Sequence, residues 1–299
     1  MKIAIILNGI SRNKNKFYSK IYPPIEQNFD TTVLETRFAG HAEELASRAA
    51  AENYDVIMAA GGDGTLHQVT NGLLKHEGLN LPALGIIPLG TGNDFARSCS
   101  LRADASQITD LLRISQPKLT DIGQIICVGK EGKTVTRYFI NVCSVGMGPE
   151  VVRRLVKSNR AWGPMITYYA SIVSTFFAHR PVEVSYRTNS SEWTGKARVI
   201  AIANGKSFGN AMYIAPDALV DDGIFHSFIA GEVPLVRFLV FLQMVKWKKK
   251  VNDPKIHYHN LQSVNLNSAL PCMLEGDGEI EGYLPATISI SPKQIAFLR

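Results

Sequence analysis

Two glycine-bearing turns, each directly after an apolar strand and directly before a helix, restrict what this chain can fold into more than any other feature. The first is Gly61-Gly62-Asp63-Gly64-Thr65, which follows the apolar run Asp55 to Ala60. The second is Leu89-Gly90-Thr91-Gly92-Asn93-Asp94-Phe95-Ala96-Arg97, which follows Ala83 to Pro88. Strand, turn and helix repeated in this order imply a parallel sheet with helices on both faces. Upstream, Lys2 to Leu7 and Thr32 to Glu35 read as strands, and His41 to Glu52 reads as a helix with Ala42, Leu45, Ala46 and Ala49 on one face. Another helix is expected from about Leu66 to Lys75. In such sheets ligands sit at the carboxyl ends of the strands, where both turns fall.

From about Asp121 the pattern changes. Ile122 to Val128, Val135 to Val142, Val182 to Tyr186, Lys196 to Ala203 and Gly223 to Ile229 read as strands separated by turn residues, interrupted by helices at Met165 to Phe177 and Leu235 to Lys248. The alternation in Ala286 to Arg299 suits a segment that returns to the first domain. The expected fold is an α/β nucleotide-binding domain, residues 1–122 with about 288–299, and a β-rich second domain, residues 123–287.

Composition excludes several classes. With 45% hydrophobic and 19% charged residues the chain is globular rather than disordered. The net charge of +6 suits anionic partners, but no basic stretch interleaved with aromatics supports nucleic acid. Cys99, Cys127, Cys143 and Cys272 form no CxxC pair, which argues against zinc or a disulfide framework and for a reducing compartment. The run Ile3 to Leu7 is too short for a signal-peptide core, and no stretch approaches the roughly 20 apolar residues of a membrane span. A soluble, cytoplasmic protein is expected, with no transmembrane segment; a homodimer is an open option.

Glycine turns let backbone N–H groups approach phosphate, and the helix start that follows adds favourable dipole charge. In the first turn Thr65 offers a hydroxyl and Asp63 can reach a phosphate-bound metal; no Walker lysine follows. In the second, Thr91 and Asn93 can bind phosphate oxygens or cap the helix, and Arg97 can meet phosphate or pair with a carboxylate. Carboxylates for metal and proton transfer are Asp63, Asp94, Asp121, Asp277 and Glu279. Taken alone, Asp277-Gly278 reads as a hairpin turn.

Both turns, followed late in the chain by Asp277-Gly278-Glu279, resemble the diacylglycerol kinase catalytic family, which includes bacterial lipid kinases and the sphingosine and ceramide kinases. The first motif is shared with NAD kinases and phosphofructokinases; the combination is specific. The resemblance spans nearly the whole chain and implies that ATP and a lipid meet between an α/β domain and a β-rich domain. It implies nucleotide contacts at Thr36, at Gly61, Gly62, Asp63, Gly64, Thr65, Leu66 and His67, and at Thr91, with Asn93 beside them. It makes Asp277 or Glu279 the general base, with Asp63 the next candidate, and Asp63 with Asp121 the pair that organises Mg2+. It further implies a structural Mg2+ site with the Asp222 carboxylate and the main-chain oxygens of Leu219 and Ile224, where the bare residues read equally as an Asp-Gly hairpin. The family's Asn-Pro-glycine loop is replaced here by Asn8-Gly9-Ile10-Ser11-Arg12-Asn13-Lys14, so a phosphate contact and a solvated loop are equal readings for Arg12 and Lys14.

A kinase of lipids meets its substrate at a membrane surface, so peripheral membrane association is expected. Leu235, Phe238, Leu239, Leu242 and Val245 form an apolar stripe that ends at Lys246-Trp247-Lys248-Lys249-Lys250. Most of the apolar residues are expected to pack in the core and only the basic cluster to meet an anionic interface. The aromatic segment Trp162 to Phe177 suits an acyl-chain groove or core packing. His257 and His259 lack metal spacing. Two other functions compete: a kinase of a soluble acceptor such as NAD, and a catalytically silent nucleotide sensor that docks on membranes.

Overall fold

A computed structural model of the chain describes residues 1–76, 81–114, 116–157 and 164–299. It divides into two compact units, Met1–Ile122 with Pro292–Arg299, and Gly123–Ser291.

The first unit begins with β1 (Lys2–Leu7), short helices α1 (Lys14–Lys16) and α2 (Tyr22–Glu26) joined by a π-helical turn, and β2 (Asp30–Glu35). Then come α3 (His41–Ala51), β3 (Val56–Gly61), α4 (Asp63–Lys75), β4 (Ala83–Pro88), α5 (Asp94–Ser98), α6 (Ala105–Ile114) and β5 (Lys118–Thr120). The central strands β3 and β4 are buried along their whole length, as apolar strands covered on both faces must be. Ala42, Leu45, Ala46 and Ala49 are the buried face of α3, as their spacing requires.

The second unit contains β6 (Gly123–Val128), β7 (Thr134–Phe139), β8 (Val142–Gly146), α7 (Met147–Lys157), α8 (Pro164–Ala178), β9 (Val182–Arg187), β10 (Glu192–Ala203), β11 (Phe225–Gly231) and α9 (Leu235–Lys246). It continues with β12 (Ile256–Leu261), β13 (Ser263–Asn267), β14 (Met273–Gly276) and β15 (Glu279–Ile290). All its pairings are antiparallel. The path β10-β8-β14-β15-β13-β9 closes because β9 also pairs with β10. One core, with Phe139, Val145, Tyr186, Ile200 and Leu274, packs within these strands, and a second, with Ile172, Phe176, Phe228 and Phe238, includes residues of the three helices. The chain then returns to the first unit with β16 (Ile295–Phe297), giving the sheet order β2-β1-β3-β4-β16-β5.

Two expectations fail in instructive ways. The apolar run Val135 to Val142 is two strands, β7 and β8, because the N–H groups of Ile140, Asn141 and Val142 donate to the Asp277 carboxylate instead of a neighbouring strand. The Asp221-Asp222-Gly223 turn is no hairpin: β10 ends at Ala203, and the turn closes a long excursion before β11. Trp162 lies outside the described residues, and α8 begins at Pro164.

The contact between α3 and α4 depends on Gly72, where a Cβ would stand 2.3 Å from the Glu43 carbonyl oxygen and 2.7 Å from the Ala46 methyl. Gly72→Ala is expected to force the helices apart and cost about 1–3 kcal/mol, despite alanine's better helix propensity. Urea unfolding checks this.

Candidate active site

On the first unit, β3 ends at Gly61 and Gly62 caps α4 in an extended conformation. The helix starts at Asp63, three residues before the Leu66 start expected from the sequence, because the Gly62 carbonyl accepts the N–H groups of Thr65 (3.0 Å) and Leu66 (3.1 Å). Asp63, Gly64 and Thr65 are therefore the first helical turn, and a helix start of this kind suits an anion. Leu66 and His67, which the sequence also offered as nucleotide contacts, are fully buried.

The second turn folds directly onto the first. Leu89 and Gly90 donate to the Gly61 carbonyl at 2.8 and 3.1 Å, and a Cβ on Gly90 would lie 2.5 Å from the Gly62 Cα. Asn93, in the left-handed region at φ 52°, does not cap α5. Its side chain accepts from the Gly90 N–H (3.1 Å) and donates to the Gly90 carbonyl (2.8 Å), locking the turn. Asp63 Oδ1 accepts the Phe95 N–H at 3.2 Å. A Cβ on Gly92 would approach Asp63 Oδ2 at 2.9 Å and Asp94 Oδ2 at 3.5 Å, so both carboxylates flank this glycine. Arg97 pairs with Asp94 at 2.7 Å and donates to the Gly92 carbonyl. Thr91 is exposed at the rim.

Two side chains lace the first loop to these turns, and a third ties it to the residue after β2. Thr36 Oγ1 accepts the Gly9 N–H (3.1 Å), Asn8 donates to Thr65 Oγ1 (3.4 Å), and Asn13 donates to the Leu89 carbonyl (2.7 Å). Lys14 pairs with Glu35, which also accepts from Tyr18. These two hydrogen bonds, Lys14's first, hold the Glu35 carboxyl below its ordinary range, while burial and then Glu35 push Tyr18 up to about 12. Arg12 is exposed.

On the second unit, Asp277 and Gly278 form the two-residue loop between β14 and β15, both with positive φ, as a type I′ hairpin requires. Asp277 Oδ1 accepts the N–H groups of Asn141 (2.9 Å) and Val142 (3.0 Å), and Oδ2 that of Ile140 (2.9 Å). Glu275 is buried; it accepts from Ser144 Oγ and from the Gly278 N–H at 2.8 Å. Burial, then the charges of Glu275 and Asp277, pushes the Cys143 thiol well above its usual range. Glu279, the first residue of β15, is exposed.

For Mg2+, no group of three or more His, Cys, Asp or Glu forms a metal cage among the described residues. A Mg2+ held mostly by nucleotide phosphates takes one or two protein carboxylates, and the Asp63 carboxylate lies beside the glycine turns. Asp121 is buried after β5 and accepts from Gln294 at 3.3 Å. Asp222 Oδ1 accepts the Ile224 N–H at 3.1 Å in a local turn, with Leu219 exposed just upstream.

Sequence reasoning passed over Asn8, Asn13, Asn141 and Glu275. Asn141 was the readable signal: an asparagine inside an apolar run is a poor strand residue and marks a break. Its Nδ2 donates to the Ser207 carbonyl, tying the break to the loop after β10. Glu275 offered no cue, since a carboxylate near a turn is ordinarily solvated.

An α/β unit with paired glycine turns at its strand ends, followed by an antiparallel β unit with a carboxylate-bearing hairpin, is the architecture of a nucleotide-dependent kinase. Residues 2–125 match the model of the diacylglycerol kinase catalytic domain, and residues 141–299 that of the YegS C-terminal NAD kinase beta sandwich-like domain. The chain is 30% identical over 288 residues to the diacylglycerol kinase of Bacillus subtilis (strain 168), covering 95% of this chain and 91% of that protein. It is 30% identical over 257 residues to that of Staphylococcus saprophyticus, covering 86% and 81%. The crystal structure of a diacylglycerol kinase from Bacillus anthracis str. Sterne superposes with a TM-score of 0.74 at 21% identity, over 99% of this chain and 96% of that one. The chain belongs to the diacylglycerol kinase family. It is a lipid kinase by family, with ATP as phosphoryl donor and a hydroxyl as acceptor.

Asparagine tolerates the left-handed backbone of Asp277 but offers one acceptor oxygen where the carboxylate offers two. Asp277→Asn is therefore expected to lose about 1–3 kcal/mol in urea unfolding. Glu279→Gln, at an exposed position, should change stability by no more than about 0.5 kcal/mol.

Proposed function

We propose that the chain transfers the γ-phosphoryl group of ATP to the hydroxyl of diacylglycerol or a closely similar lipid presented at a membrane surface, with Glu279 as the general base. The observation that carries the assignment of the base is the difference between the two candidate carboxylates. Both oxygens of Asp277 are turned into the backbone at Ile140–Val142. Glu279 stands exposed as the first residue of β15, on the other side of the same hairpin loop.

In this reading Glu279 takes the acceptor's hydroxyl proton as the oxygen attacks the γ-phosphorus. The bond from that phosphorus to the β,γ-bridging oxygen breaks, and ADP leaves. The first turn of α4, with Gly61 to Thr65, receives the phosphates on backbone N–H groups, and Thr91 and Thr36 lie at the edges of that cradle. Asp63, with Asp121, would hold Mg2+, which supplies neutralisation of phosphate charge when bound. Asp222 with the Leu219 and Ile224 carbonyls would hold a second, structural Mg2+.

A soluble acceptor such as NAD is disfavoured because the Bacillus subtilis and Staphylococcus saprophyticus relatives, each matched over most of the chain, are named diacylglycerol kinase. A silent sensor is disfavoured because Asp63, Asp277 and Glu279 are all present. With radiolabelled ATP, label is expected in the lipid phase of a total lipid extract; label in NADP instead would sink the reading. Glu279→Gln should lower kcat roughly 10²-fold with ATP affinity retained. Asp63→Asn should abolish turnover while the fold survives, and near-normal activity in that variant would remove the phosphate cradle from the mechanism.

A further inference from the structure

The loop after β1 is held in one shape by its own polar groups. Asn8 Oδ1 accepts the Ile10 N–H at 3.2 Å, and the Asn8 carbonyl accepts the Ser11 N–H at 3.0 Å. Ser11 accepts from the Asn13 N–H on Oγ (3.3 Å) and from the Lys14 N–H on its carbonyl (3.1 Å). Both ends of the loop are fastened to the glycine turns. Asn8 reaches Thr65 in the first turn of α4, and Asn13 reaches the Leu89 carbonyl in the turn after β4. The segment from Gly9 to Arg12 therefore lies between two anchors at the carboxyl ends of β1, β3 and β4, where parallel sheets bind their ligands.

Charge separates the residues of this loop. The Asp63 and Asp94 carboxylates flank Gly92, and both repel an anion. A helix start offsets that with only about half an elementary charge. Arg97 is engaged by Asp94 and the Gly92 carbonyl, and Lys14 is engaged by Glu35. Arg12 differs from both: it is exposed and, among the described residues, has no ion pair or hydrogen bond. Arg37 is exposed too, but it follows β2, the edge strand, and β1 separates it from the strand that carries the first glycine turn.

We propose that the Arg12 guanidinium binds the phosphate oxygens of ATP, a contact specific to this chain, since the family's loop ends in glycine where Arg12 stands. A guanidinium presents its donors in a planar fork that matches phosphate oxygens two at a time. The backbone beneath it is already fixed by Asn8, Ser11 and Asn13, so binding has only the side chain left to order. Of the two loop cations that the sequence left equal, Glu35 takes Lys14 and leaves Arg12 for the nucleotide. The assignment adds a residue to the proposed ATP site and rests on that reading.

Calorimetric titration of the full chain with ATP and Mg2+ tests this without any turnover. Arg12→Gln alters an exposed side chain, and thermal melting checks its fold. It is expected to weaken ATP binding roughly tenfold, the scale of one charge-assisted contact, and Arg12→Lys should recover part of the loss. Adenosine, which has no phosphate, should bind the parent chain and Arg12→Gln alike, and Arg37→Gln should bind ATP as the parent does. Unchanged ATP affinity in Arg12→Gln overturns the inference. So does an equal loss for adenosine, which assigns the effect to the shape of the loop, or an equal loss in Arg37→Gln, which assigns it to general surface charge. A parent chain that does not bind ATP overturns the nucleotide-site reading itself. ATP binding that depends on Arg12, without phosphorylation of any lipid, overturns the lipid-acceptor reading and leaves Arg12 in place.

Discussion

The approach of Gly90 to Gly62 is the contact on which the nucleotide half of the molecule depends. No side chain fits there: a Cβ on Gly90 would come within 2.5 Å of the Gly62 Cα. Bare backbone on both sides lets the turn after β4 close over the turn after β3, and the Gly61 carbonyl takes two N–H donors from it. Once the turns touch, Asn93 can fold back onto Gly90, and Asp63 can accept from Phe95 at the start of α5. The glycines thus do two separate jobs. Gly62 and Gly90 bring the turns together, while Gly92 keeps a gap between the Asp63 and Asp94 carboxylates.

The second unit solves a similar problem with a charge. Three consecutive amides at Ile140, Asn141 and Val142 leave the sheet, and buried amides need acceptors. Asp277 supplies both its oxygens, and the Asn141 amide ties the same break to Ser207. The hairpin loop, the interruption between β7 and β8, and the loop after β10 are therefore fixed by one side chain and its neighbours. Glu275 adds a second anchor by receiving the Gly278 N–H within the same hairpin. A carboxylate committed in this way shapes the hairpin, whereas Glu279, two residues on, is exposed.

Much of this was legible before any coordinates, for physical reasons. The strands β3 and β4 are apolar and buried throughout, as in a sheet covered on both faces, and glycine after such a strand has few uses other than a turn. Asp277-Gly278 reads correctly as a hairpin because both positions need positive φ. The sequence does not disclose where polar side chains replace backbone partners. Asn141 marks a break within Val135–Val142, but nothing local names the acceptor, Asp277, so distant along the chain. The start of α4 was placed late because Asp63, Gly64 and Thr65 look like turn residues, although an extended Gly62 allows the helix to begin among them.

The helices α8 and α9 mark a different limit. Periodicity identifies a buried face only when the opposite face is polar, since the signal is the contrast between them. α8 has no charged residue and α9 has apolar residues around most of its circumference, so a stripe can be drawn on either side. Packing against Phe228 and Val251 decides which stripe is inside, and both belong to other segments of the chain. What remains outside is an apolar surface that water does not favour and that folding has not covered.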